Sequence, residues 1–289
     1  MNNNKLDDFA VMILTHGRPD KVRTFQTLHN CGYTGRIVIV IDNTDKKQKE
    51  YKDNFGDMVY VFDKKAIAKT FDQGDNFEDM RAIIYARNAS FEIAKELGIK
   101  YFIQLDDDYV SFNYRFNNKL DYEYSQMKNL DSVFSALLEF YKSTNISSIA
   151  IAQGGDFMGG AESSLADKVK LKRKCMNSFI CSTERPFKFV GRINEDVNTY
   201  TRLASTGLLL FTTNQVSLQQ LQTQSNSGGM TELYLDSGTY VKSFYSVMYM
   251  PSAVRVKMLN STNARLHHSV SWINTVPMIL SEDYKKKPQ

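Results

Sequence analysis

Cysteine is scarce: the chain holds three in 289 residues. Cys31, Cys175 and Cys181 leave one thiol over in any pairing. Cys175 and Cys181 are spaced too widely for a zinc ribbon. A disulfide scaffold is excluded, and reduced, buried thiols in a cytoplasm are expected. Long apolar runs are lacking too, and none could span a bilayer. Met1-Asn2-Asn3-Asn4-Lys5 has no apolar stretch of the kind a secretion signal needs, so a soluble intracellular protein is expected. An excess of one charge is also missing. Lys and Arg number 36 against 32 Asp and Glu, a net +4. That balance permits a nucleic-acid partner without requiring one. No repeat and no linker divides the chain, and its length suffices for a sizeable core.

What is present is a regular alternation of strand and helix patterns. Residues 9–14, 36–42, 58–62 and 101–105 read as strands. The run Ile37-Val38-Ile39-Val40-Ile41 is β-branched enough for burial on both faces of a parallel sheet. Residues 18–30, 45–53 and 76–97 read as helices, the last stopped by Gly98. This order predicts an α/β fold with right-handed crossovers and a mostly parallel central sheet flanked by helices. A further helix is expected over 130–141 and a strand over 148–152. Beyond them, short strands mix with Gly, Ser and Thr turns.

The strand over 101–105 ends in Asp106-Asp107-Asp108. Three adjacent carboxylates repel one another unless a cation or substrate offsets them. Their hard oxygens favour Mg²⁺ or Mn²⁺, and such a site suits chemistry on a diphosphate leaving group. Asp42 ends the second strand. In open α/β sheets ligands bind outside the carboxyl ends of strands, so Asp42 and Asp106 are expected on one rim. Asp42 there could take a ribose hydroxyl or a base N–H, or simply start a turn. Thr15-His16-Gly17-Arg18-Pro19 follows the first strand. Gly17 permits close backbone approach and Arg18 could meet a phosphate. Arg87 could reach a diphosphate or lock an aspartate.

Glu195 and Asp196 open a helical stretch flanked by the apolar segments 187–190 and 208–211. A carboxylate there can take a proton from an attacking hydroxyl, although acidic residues also suit any first helical turn. His267-His268 can complete a metal shell begun by one carboxylate. Neighbours on a strand point to opposite faces, so one of the two is the expected ligand. Lys168, Lys170, Lys172, Arg173 and Lys174 form the concentrated basic segment, continued by Arg185 and Lys188. Phe179, Phe187 and Phe189 interleave with it, a pattern that suits phosphate contact and base stacking or a solvated loop.

Together these residues resemble a glycosyltransferase of the GT-A fold, with Asp106-Asp107-Asp108 as its DxD motif. More narrowly the chain resembles the TET-associated glycosyltransferases of phages and related elements. The resemblance rests on 187–200, ending Gly191-Arg192-Ile193-Asn194-Glu195-Asp196-Val197-Asn198-Thr199-Tyr200. It continues through Thr223-Gln224, Gly228-Gly229-Met230-Thr231-Glu232 and 238–244, and closes at Arg265-Leu266-His267-His268.

The resemblance implies transfer of a sugar, glucose or arabinose, from a nucleotide-sugar donor to a hydroxymethyl pyrimidine in DNA. A UDP-sugar donor, 5-hydroxymethylcytosine as acceptor and Mn²⁺ or Mg²⁺ as cofactor follow, as does the cytoplasm of a phage-infected host. Thr15, Arg18, Asp42, Arg87, Asp106 and Asp107 would then hold the donor. Asp108 with His267 or His268 would hold the metal, and Asp196, or less directly Glu195, would act on the acceptor. Lys170, Lys172, Arg173, Lys174, Arg185 and Lys188 would track DNA. One domain over 1–289 is expected, about 1–110 for the nucleotide sugar and about 111–289 for the acceptor. The same fold acting on a protein, lipid or glycan, and a non-enzymatic nucleotide- or DNA-binding module, are the alternatives.

Overall fold

The computed structural model describes residues 6–75, 79–166, 173–221, 241–259, 265–275, 279–280, 282 and 285. Four strands form where the apolar runs predict: β1 (Phe9–Leu14), β2 (Arg36–Asp42), β3 (Val59–Phe62) and β4 (Tyr101–Asp106). They pair in parallel in the order β3-β2-β1-β4. Five more strands extend the same sheet: β5 (Tyr109–Phe116), β6 (Tyr122–Gln126), β7 (Ser148–Gln153), β8 (Phe179–Ser182) and β9 (Leu210–Gln220). The order runs on as β4-β8-β7-β9-β5-β6, with β7 and β9 parallel and the other pairs antiparallel. The sheet is thus parallel across its first part and mixed across its second.

Alternation along the central strands makes two cores. Val11, Ile13, Ile39, Ile41 and Ile103 face one side. There they meet Leu28 of α1 (Arg23–Asn30), Tyr51 of α2 (Gln48–Phe55) and Phe134 and Leu138 of α5 (Leu130–Ser143). Met12, Val38, Val40 and Phe102 face the other. There they meet Ile67 of α3 (Lys64–Ala68), Ala89 and Phe91 of α4 (Ile84–Glu96) and Val197 of α6 (Glu195–Ser205). A sheet covered by helices on both faces leaves the carboxyl ends of its parallel strands as the open rim.

Three expectations change. The helix expected over 76–97 starts at Ile84. Just before it, the Asp79 carboxylate accepts from the Arg81 backbone N–H at 3.0 Å and from its guanidinium, which favours a turn over helix. The helix expected over 18–30 is a 3₁₀ turn at Pro19–Lys21 followed by α1. Phe179, Phe187 and Phe189 are buried. They pack edge-to-face and tilted on one another, with centroids 4.9 and 5.1 Å apart, so they are core and offer bases no platform.

The last described elements form a separate layer. β10 (Val254–Leu259) and β11 (Arg265–Val270) make an antiparallel hairpin packed on α7 (Val241–Tyr249). Ser246 of α7 donates to Asn198 of α6 at 2.9 Å, and Trp272 stacks on Tyr200.

Candidate active site

Parallel register puts Leu14 of β1 beside Asp106 of β4, so Thr15 stands next to Asp107. Asp107 is fully buried. Its carboxylate accepts from Thr15 Oγ1 at 2.6 Å and from Arg18 Nε and Nη2, both at 2.7 Å. That fork is the strong bidentate geometry of an arginine–carboxylate pair. Thr24, also buried, donates its hydroxyl to the Asp106 carbonyl at 2.6 Å and accepts from the Tyr109 N–H at 3.0 Å. Its own N–H reaches the Asp107 carbonyl at 3.1 Å. The acidic turn is therefore fixed from β1 and α1, with Thr15 and Arg18 holding Asp107 as its anchor.

Asp106 and Asp108 flank this anchor. Burial and the neighbouring carboxylates push Asp106 up to about 7 against the pull of Arg87, and burial pushes Asp108 upward as well. Asp108 Oδ2 accepts from Gln220 Nε2 at 3.1 Å, while Oδ1 is buried without a partner among the described residues. A buried carboxylate oxygen with nothing to bond, beside a second carboxylate driven toward protonation, fits a hard divalent cation. Among the described residues no three His, Cys, Asp or Glu side chains converge into a complete cage.

Asp42 ends β2 on the same rim. It accepts from His16 Nδ1 at 2.8 Å, Lys64 Nζ at 3.2 Å and the Thr44 N–H at 3.0 Å. Burial alone would raise it. The His16 and Thr44 hydrogen bonds and the Lys64 charge instead hold it well below the usual carboxylate range.

Arg87, fully buried in α4, joins the rim to the start of α6. Its Nη2 donates to Asp106 at 3.0 Å and its Nε to Glu195 at 3.1 Å. The guanidinium lies 5.0 Å over Phe179 and 5.9 Å over Phe189, and Nη1 has no partner. Asp196, beside Glu195, accepts only from the adjacent Val197 N–H, at 2.7 Å, among the described hydrogen bonds. Burial and the Glu195 charge push it up to about 7. Asn194 starts the helix in the left-handed region at φ 61°, which asparagine tolerates.

Asn194 also meets the hairpin: its Nδ2 lies 3.4 Å from His268 Nδ1. Burial, His267 and the Lys242 and Lys174 charges push His268 down to about 3, so its ring is neutral at physiological pH, the form that binds metals. The two imidazoles do not point apart as alternation predicts. Their centroids are 4.2 Å apart, and His267 Nδ1–H donates to the His268 carbonyl at 2.7 Å, which draws the rings together.

The basic segment is divided. Lys168, Lys170 and Lys172 lie outside the described residues, as do the sequence stretches 223–224, 228–232 and 238–240. Arg173 and Lys174 both pair with the buried Asp156, Lys174 at 2.6 Å. Arg185 donates to the carbonyls of Tyr141, Thr144 and Ile146 at 3.0, 2.8 and 2.7 Å and lies 3.8 Å over the Tyr141 ring. It caps the end of α5. Lys188 Nζ reaches Thr70 Oγ1 at 3.3 Å.

Several residues of the site escaped the sequence reading. Lys64, two residues past β3 on the shared rim, was findable from strand order. Thr24, Gln220 and the buried Arg192–Asp75 pair, at 2.9 Å, depend on long-range contacts that no local pattern announces.

An α/β sheet with carboxylates at the ends of β2 and β4, the parallel strands on either side of β1, joined through a buried arginine to an acidic helix start, defines a candidate ligand-binding and acid–base site. The chain belongs to the TET-associated glycosyltransferase family, whose profile matches residues 9–229; it is a glycosyltransferase. Comparison with curated proteins gives no match. Among solved structures, a mannosyltransferase from Pyrobaculum calidifontis in complex with GDP-Man and Mn²⁺ is 9% identical. The alignment covers 85% of this chain and 74% of that one at a TM-score of 0.45. Glucosyl-3-phosphoglycerate synthase from Mycobacterium tuberculosis, in complex with Mg²⁺ and UDP, is 10% identical over 93% of this chain and 90% of that one, at 0.43. Among the described residues no helix is long and apolar enough to cross a membrane.

Proposed function

We propose that this glycosyltransferase moves a sugar from a nucleotide sugar, a UDP-sugar, to the hydroxymethyl group of 5-hydroxymethylcytosine in DNA. Family membership supports the transfer; the acceptor is the class the family's name suggests. The observation that carries the reading is the Arg87 bridge, which places Asp106 and Glu195 on one guanidinium. Donor rim and acceptor side are thereby one electrostatic unit. The stretch of about 1–110 supplies the donor side, and about 111–289 the acceptor side.

Asp42 and Asp106 orient the nucleotide. Asp108 holds the divalent cation, Mn²⁺ or Mg²⁺, with one imidazole of His267-His268 as a further ligand. When bound, the cation supplies charge neutralisation to the departing diphosphate. In a single displacement the hydroxymethyl oxygen bonds to the anomeric carbon as that carbon's bond to the diphosphate oxygen breaks. Asp196 takes the hydroxyl proton. Its pKa near neutrality suits a general base better than an ordinary carboxylate would. The test is incubation with Mn²⁺, a panel of nucleotide sugars and DNA with or without 5-hydroxymethylcytosine. Nucleosides heavier by one sugar, only from the modified DNA, are the expected result. Sugar incorporation with neither DNA, but with protein, lipid or glycan acceptors, would replace the DNA reading. The pairing of Arg173 and Lys174 with Asp156, which commits two cations of the basic segment to the fold, favours that second reading.

A further inference from the structure

We infer that the outward face of the β10–β11 hairpin, carrying Arg255 and Lys257, is a DNA-backbone contact surface. The inference rests on the DNA acceptor proposed above and places its contact on residues other than those of the basic segment at 168–188. Acidic residues make up 32 of the 289, yet none occurs between Asp236 and Glu282. The hairpin lies inside that acid-free stretch. Arg255 and Lys257 are both exposed. Two apart on β10, they project from the same face of the strand. Among the described residues neither has an ion-pair partner, in contrast to Arg173 and Lys174, which share Asp156.

The register explains why these two point outward. Val254 is fully buried, and Val256 pairs across the strands with His268. These alternate positions form the inward face against α7 and Asn194. Arg255 and Lys257 therefore take the opposite face, with Ser269 and His267 as their cross-strand partners. A two-residue step along a strand spans about 7 Å, and one DNA strand carries a charge about every 3.4 Å of helix axis. Two unpaired cations at that spacing match a run of phosphates. A solvated surface protein gains nothing from clearing every acid from such a stretch, whereas a polyanion-binding surface gains both attraction and the absence of repulsion.

The position also fits. His268, on the inward face, touches Asn194, the residue that opens the helix bearing Glu195 and Asp196. A duplex held on the hairpin lies one structural layer from the acceptor carboxylates.

The test uses the full chain, a short fluorescent duplex without modified bases, and anisotropy titrations between about 50 and 200 mM salt. Each lost phosphate contact lowers the log–log salt slope by about 0.9, so the Arg255→Gln/Lys257→Gln double variant should lose close to two units. It should bind about tenfold or more weakly at about 100 mM salt, with nucleotide-sugar affinity and thermal midpoint unchanged. Arg255→Lys/Lys257→Arg should bind like the parent, since backbone contact needs charge rather than shape. An unchanged slope and affinity in the double variant would overturn the inference, as would a parent chain that does not bind duplex at all. Sugar transfer to hydroxymethylated DNA, weighed separately, tells whether the acceptor reading falls with it. Transfer without hairpin dependence sinks the hairpin alone, and no transfer to any DNA sinks both.

Discussion

The donor rim and the start of α6 are both carboxylate-rich, and they solve the same electrostatic problem differently. On the rim three aspartates have a cationic partner: Asp42 has Lys64, Asp107 has Arg18, and Asp106 has Arg87, which it shares with Glu195. At α6, among the described residues, Glu195 has one and Asp196 has a backbone N–H alone. Titration follows the partners: Asp42 is held low, whereas Asp106, which shares Arg87 with Glu195, and Asp196 are both driven up to about 7. Asp42, which stays charged, can bind and orient. A carboxylate near neutrality can accept and release a proton within a cycle. Asp108, with one buried oxygen unpartnered, is the exception on the rim.

The sharpest break of this contrast is Asp108→Ala. If Asp108 is the rim's cation ligand, the variant should lose transfer altogether while keeping the parent's denaturation midpoint. EDTA should silence the parent in the same way. Sustained turnover by the variant in EDTA would show that the unpartnered oxygen has no catalytic part.

Asp196→Asn tests the other pole. Loss of a positioned base should slow transfer by about 10²–10⁴-fold with nucleotide-sugar binding kept. Glu195→Gln should cost less if Glu195 mainly anchors Arg87. The parent's rate should rise with pH through about 7, as Asp196 becomes the anion. Stability should move the other way. The folded pKa lies above the unfolded value of about 3.9, so the native state holds its proton longer. That contribution is complete below about pH 4 and is lost as pH rises through 7. Asp196→Asn should therefore flatten the stability profile across that window. Retention of the donor's anomeric configuration, read by NMR, would remove Asp196 from the base role.

Arg87→Met asks whether the two poles are coupled. It removes the guanidinium that Asp106 and Glu195 share and leaves two largely buried carboxylates without it, a loss of about 3–5 kcal/mol. Urea unfolding should show the deficit shrinking as pH falls, because both carboxyls can then protonate. A deficit independent of pH would mean that lost packing on Phe179 and Phe189 dominates instead.

How much of this was legible follows from where each signal lives. The strands β1, β2 and β4 and the acidic triplet are local patterns, and they stand where the sequence puts them. The pairing of Asp107 with Arg18 is not local: three identical residues in a row give no sign that the middle one is an anchor. Only the register of β1 against β4 reveals it. The second part of the sheet was illegible for a similar reason. β5 and β9 carry Asn113, Arg115 and Ser217 as buried residues, and such sequences read as polar turns until the partner strand is known. The aromatic residues at 179, 187 and 189 misled because interleaved charge looks the same on a binding surface and around a core.

The smallest predicted effect separates cations that hold the fold from cations free to meet DNA. Arg185 stood in the basic series, yet its guanidinium donates to three carbonyls at the end of α5 and covers the Tyr141 ring. A cation there satisfies carbonyls that the helix leaves open and complements its dipole. Arg185 is only half-buried, so solvent screens part of the interaction, and Arg185→Gln should cost about 1–2 kcal/mol. It should leave the salt slope of DNA binding untouched, because the three carbonyls and the Tyr141 ring hold the guanidinium against the fold. A stable Arg185→Gln variant with a flatter slope would return Arg185 to the DNA surface and show that charge in the basic series, rather than its present partners, decides what binds.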